Sequence, residues 1–276
     1  MKRTWIDRVI EPGAITALFQ PIVDIRGDMP TVCAVEGLSR GPRGTTLESP
    51  DILFEFARRK HEEPIVDRAA VAAILHDAVR LPADLPVQIN VHASTIGRDD
   101  GFVGFLRGVC RGYGIDPSRL TLEILEHSNY VEEERYMAAI QALRAEGVSI
   151  ALDDIGVGSS NFRMILVTRP SQLKVDRCLV DGLAEDAYRQ TTLRAIRLLA
   201  DQAGAHVVAE GVEREADLEQ LKALGVEYAQ GYLFSRPLPV DELLAEVSPV
   251  VPERPVWADL AEDSDLLISS PARMAW

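Results

Sequence analysis

Seven of the eight strand-like segments in this 276-residue chain end on a charged or amide side chain. Short apolar runs at 32–35, 87–89, 120–122, 148–152, 172–173, 205–209 and 228–229 stop at Glu36, Asn90, Glu123, Asp153 with Asp154, Lys174, Glu210 and Gln230. Helical periodicity recurs between them, as at Ile65, Val66, Ala69, Ala73 and Ile74. Gly147, Gly204 and Gly225 directly follow helical stretches, the usual place for a terminating glycine. Repeated strand–helix units imply a parallel sheet with right-handed crossovers. Eight strands favour closing that sheet into a (β/α)8 barrel, whose strand ends converge on one rim.

One segment departs from that plan. The first strand, 17–25, connects through the turn at 26–30 to a second strand at 31–40. So short a connection allows only an antiparallel pair. Carboxylates gathered on the rim repel one another unless cations hold them, and hard oxygen ligands suit Mg²⁺ or Mn²⁺. Taken singly, each residue has a plainer reading. Asp153-Asp154 before glycine is a turn signal, Asn90 a cap, Glu123 and Glu126 a solvated strand end, Lys174 a surface charge, and Arg40 a salt-bridge partner. The ordered set is what points to a metal site.

The length suits one such barrel, expected over residues 1–248, with an acidic, proline-containing tail at 249–276 that is disordered or docked. A net charge of −14 argues against a DNA or RNA polymer as partner. No apolar run approaches the ~18 residues of a membrane span, and the N-terminus does not resemble a signal peptide. Cys33, Cys110 and Cys178 show no metal spacing and read as reduced thiols, Cys33 buried in a strand, so a cytoplasmic location is expected.

Quoted in order, the rim segments are Phe19-Gln20-Pro21, Glu36-Gly37-Leu38-Ser39-Arg40, Asn90-Val91-His92, Leu122-Glu123-Ile124-Leu125-Glu126, Asp153-Asp154-Ile155-Gly156, Leu173-Lys174-Val175-Asp176, Glu210-Gly211-Val212-Glu213 and Gln230-Gly231-Tyr232. Their order and spacing resemble the EAL domain, a bacterial family of cyclic di-GMP phosphodiesterases, over residues ~17–244. The resemblance implies a modified TIM (β/α)8 barrel with one antiparallel strand at the start. It implies hydrolysis of cyclic di-GMP to linear pGpG with two Mg²⁺ or Mn²⁺ ions, Ca²⁺ being inhibitory. By the same resemblance Glu36, Asn90, Glu123 and Asp153 bind one ion, Asp153 bridges to a second held by Asp154, and Glu210 binds that ion or its waters. Lys174 stands near the attacking water. Gln20, Leu38 and Arg40 contact the substrate, Gln230 orients water, and Glu126 and Glu213 hold the loop at 153–160. The resemblance implies a homodimer; control is left open among expression, oligomerisation, the tail and a separate regulatory protein. A catalytically impaired nucleotide receptor, or an interaction module, is the alternative reading.

Three regions depart from the family pattern. Gly37 replaces an alanine; it faces away from Glu36, so the lost methyl is expected to weaken the strand slightly and spare the chemistry. Ile155, Val157, Ser159, Asn161 and Phe162 alter the loop after Asp154, which puts turnover and dimer coupling in question. His92 stands in place of a small hydroxyl. It shares a strand face with Asn90 and reads either as a donor behind the ligands or as an exposed strand-end side chain.

Overall fold

The computed structural model describes residues 4–125, 133–157 and 161–246. Eight strands form one closed barrel in chain order: β1 Thr16–Asp24, β2 Thr31–Arg40, β3 Val87–His92, β4 Leu120–Leu125, β5 Ser149–Ile155, β6 Gln172–Val175, β7 His206–Ala209 and β8 Tyr228–Ala229. β1 runs antiparallel to both β2 and β8, and every other neighbouring pair is parallel. The hairpin foreseen at 26–30 is therefore the one reversal in an otherwise regular barrel.

Around the barrel lie α1 Trp5–Val9, α2 Pro50–Lys60, α3 Glu63–Ala78, α4 Ala93–Arg98, α5 Phe102–Tyr113, α6 Glu133–Ala145, α7 Asn161–Thr168, α8 Arg177–Val180, α9 Ala187–Ala203, α10 Glu215–Ala223 and α11 Val240–Glu246. Local chemistry sets their ends. Asp186 accepts the backbone N–H groups of Tyr188 and Arg189 to start α9, and Gly204, at φ 66°, ends it.

Alternation along the strands separates two environments. Outward residues such as Ile89, Val91, Leu122, Ile124 and Leu152 are buried against the helices and form the main core. Inward residues are mixed: Ile22, Ala34, Val208 and Tyr228 form a small apolar cluster of their own, and the rest of the interior is largely polar. Gln88, Thr121 and Gln172 are fully buried in the barrel interior, and the Gln88 amide donates to Gln172 Oε1 at 2.7 Å. That polar layer supports the rim residues one alternation further along each strand.

Gly37 has a packing reason that its neighbours in sequence do not reveal. A methyl at this position would overlap Ile74 Cγ2 of α3 and come within 3.2 Å of Cγ1. Ile74 is itself 1% exposed. The space of the missing methyl is thus filled by α3, and the expected loss to the strand is corrected to a close helix–strand fit.

Candidate active site

Seven of the residues singled out at strand ends meet at the barrel mouth. Glu36 lies midway along β2, and both of its oxygens are held: Asn90 Nδ2 of β3 donates to Oε1 at 2.5 Å, and Gln230 Nε2 donates to Oε2 at 2.7 Å. Gln230 Nε2 also donates to Gln20 Oε1 at 3.0 Å, and Gln20 Nε2 donates to the Ser235 carbonyl at 3.0 Å. Gln230 thus links Gln20 to Glu36. Their placement depends on local backbone. The Glu210 N–H bonds the Val175 carbonyl at 3.0 Å, the Gln230 N–H bonds Ala209 at 2.8 Å, and the Val212 N–H bonds Gln230 at 3.0 Å. Gly231 lies so close to the Val212 backbone that any side chain there would collide with it.

Lys174 is the centre of the cluster. Its side chain is 0% exposed, and Nζ pairs with Glu123 Oε1, with Glu210 Oε1 at 2.5 Å and with Glu36 Oε2 at 3.4 Å. The reading of this lysine as a surface charge is overturned: closure of the barrel turns the β6 strand end inward. Burial works to lower its pKa, but Glu123, Glu210 and Glu36 outweigh that and hold it well above its ordinary value. The carboxylates respond in the opposite sense. Burial, then Glu36 beside it, raises Glu123 well above the usual range. Burial pushes Glu210 up to about 8 and Asp153 up to about 6, with Lys174 pulling both down. One ammonium does not neutralise this many buried acids.

Two observations fit divalent cations to this donor set. Oxygen atoms of Glu36, Glu123 and Glu210 lie within 4.8 Å of one another. Glu123 Oε2 and Asp153 Oδ1 are buried without a hydrogen-bond partner, a costly arrangement for carboxylates unless something else coordinates them. Asp154 stands beside Asp153 in the left-handed region at φ 55°, and its carbonyl accepts the Val157 N–H at 3.1 Å in a tight turn.

Glu36, Asn90, Glu123, Asp153 and Glu210 line one side of a cavity of about 410 Å³. Leu38 and Arg40 line it as well, with Pro50, Phe54 and Arg58 of α2. His92 is also in this wall and is buried, not an exposed strand-end side chain. Glu213 pairs with Arg177 of α8 at 2.8 Å. Glu126 and residues 158–160 lie outside the described residues, as does the tail from 247 onward. After the loop, α7 presents Phe162 and Leu166, each 76% exposed, one turn apart.

The EAL domain family model matches residues 3–237. The chain belongs to the EAL domain family. It is 34% identical over 166 residues to MucR of Pseudomonas aeruginosa, a bifunctional diguanylate cyclase/cyclic di-GMP phosphodiesterase; the match takes in 60% of this chain and 24% of MucR. The chain thus spans only about a quarter of that relative's length. The solved PaMucR phosphodiesterase in complex with c-di-GMP superposes with a TM-score of 0.73 at 28% identity, covering 83% of this chain and 99% of that one. Klebsiella pneumoniae BlrP1, solved with manganese and cyclic di-GMP, gives a TM-score of 0.73 at 27% identity over 83% of this chain and 57% of that one. The closed barrel described above thus has the fold of these solved EAL domains. Among the described residues, no helix is long and apolar enough to cross a membrane.

Proposed function

We propose that the chain is a metal-dependent phosphodiesterase that opens cyclic di-GMP to linear pGpG. The observation that carries this reading is the buried cluster of Glu36, Glu123, Asp153 and Glu210, with two orphaned carboxylate oxygens beside a nucleotide-sized cavity. Glu36, Asn90, Glu123, Asp153, Asp154 and Glu210 would hold two Mg²⁺ or Mn²⁺ ions, which supply charge neutralisation at the phosphodiester and acidify the attacking water.

The chain's own residues do the rest. Asn90 and Gln230 fix both oxygens of Glu36, so its carboxylate keeps one orientation. Lys174, a charged donor beside Glu210, would hold the attacking water and offset the charge that grows on the phosphate. Arg40 stands in the cavity wall, where a guanidinium can pair with a phosphate oxygen. Leu38 supplies an apolar contact in the same wall. The exposed Phe162–Leu166 face of α7 would seat a second copy of the chain.

The test is incubation of purified protein with cyclic di-GMP and Mn²⁺, resolved by chromatography. Linear pGpG is expected, and added Ca²⁺ should slow its appearance. Cyclic di-GMP that binds yet stays intact in Mn²⁺ refutes the hydrolytic reading.

A further inference from the structure

The cavity wall away from the carboxylates holds a buried polar unit that the metal site does not use. His92 closes β3, two residues beyond Asn90 on the same strand face, which sets it about 7 Å further along the strand. That is the reach of one ribose from a phosphate held at the carboxylates. Asp67 of α3 is 0% exposed and grips His92 twice: His92 Nδ1 lies 2.9 Å from Oδ1, and the His92 backbone N–H donates to Oδ2 at 3.0 Å. The Thr95 hydroxyl donates to the same Oδ2. This grip fixes the rotation of the imidazole. Its ring centroid lies 5.3 Å from that of Phe54, with the planes inclined at 49°, and both rings line the cavity.

A small hydroxyl at position 92 would leave this part of the wall open. The imidazole instead adds a flat ring next to an aromatic one. An aromatic wall receives a nucleobase by stacking its flat face on one ring while the second ring, inclined at 49°, meets its edge. We propose that His92, oriented by Asp67, forms with Phe54 the wall that receives a purine base of the bound nucleotide, and so sets the affinity of this member for its substrate. The proposal rests on the cyclic di-GMP reading above. In it His92 touches the substrate, and Asp67 is a positioning residue.

Two variants separate a ring contact from a partner for Asp67. His92→Gln keeps a donor for Asp67 and removes the ring; His92→Phe keeps a ring and removes the donor. With Mn²⁺, His92→Gln should raise the KM for cyclic di-GMP about tenfold, the scale of one lost base–aromatic contact, while kcat changes less than threefold. His92→Phe should raise KM less than His92→Gln does. The reverse order, or an unchanged KM in His92→Gln, overturns the proposal and leaves His92 as a structural partner of Asp67. If His92→Phe does not fold, the KM of His92→Gln decides alone. If the wild type binds cyclic di-GMP without cleaving it, the phosphodiesterase reading fails by itself, and the same order read in Kd by calorimetry still tests the base contact.

Discussion

Replacing Lys174 with methionine removes the ammonium that contacts Glu36, Glu123 and Glu210 while keeping a long side chain in the same space. Removing one partner of a buried ion pair costs about 3–5 kcal/mol. In a chain of this size each kcal/mol moves Tm by about 2–4 °C, so metal-free Lys174→Met should melt on the order of 10 °C below wild type at pH 8. The loss depends on pH. Glu210 is raised to about 8 and Asp153 to about 6, both above their ordinary values. The folded state therefore binds more protons than the unfolded state between about pH 4 and 8, and stability falls as pH rises through that window. Lysine offsets this in the wild type. Without it the acids must take up protons, so the variant's deficit should be small near pH 5 and largest near pH 8. Divalent cations can replace the missing charge, and millimolar Mn²⁺ should raise the Tm of the variant more than that of the wild type. The assay is thermal denaturation of both metal-stripped proteins at pH 5, 6, 7 and 8, with and without Mn²⁺. Equal Tm values at pH 8 without metal would refute the argument that Lys174 compensates these carboxylates.

Gly37→Ala should destabilise by about 1–3 kcal/mol, because its methyl would overlap Ile74. Chemical denaturation of Gly37→Ala, Ile74→Ala and the double variant should show a smaller cost for Gly37→Ala once Ile74 is truncated; additive costs would contradict the fit described here. Phe162→Glu places a charge on the exposed α7 face; if the proposed second copy sits there, sedimentation should show dimer for the wild type and monomer for the variant. An unchanged dimer would move the interface elsewhere.

Much of the fold could be read from residues alone, because each signal is local. The strand at 31–40 agrees with the structure residue for residue, and the apolar runs at 87–89 and 120–122 open β3 and β4, since short β-rich runs bounded by a turn or a polar end leave little latitude. The shorter helices escaped. Five of the six residues of α4 are buried, so it shows no polar face to give a helical period. α8 has four residues, barely one turn, and α7 follows a glycine- and serine-rich stretch that reads as loop.

The site followed the same division. Which residues end the strands was visible; how they meet was not. Lys174 reads as a rim charge until closure of the barrel sends the β6 side chain inward. Gln20 and Gln230 meet across 210 residues, His92 and Asp67 across 25, and Gly37 and Ile74 face each other from separate elements. None of these pairs has a local spacing that would announce it.

The most direct test of the account is a side-by-side reaction of wild type and Glu36→Ala with cyclic di-GMP and Mn²⁺, with metal binding followed by calorimetry on the same samples. Glu36 receives hydrogen bonds from Asn90 and Gln230 and is paired with Lys174, so its loss should weaken Mn²⁺ binding and abolish turnover together. Linear pGpG from the wild type alone is the result the account predicts. Intact cyclic di-GMP with the wild type, or equal turnover by Glu36→Ala, would contradict it.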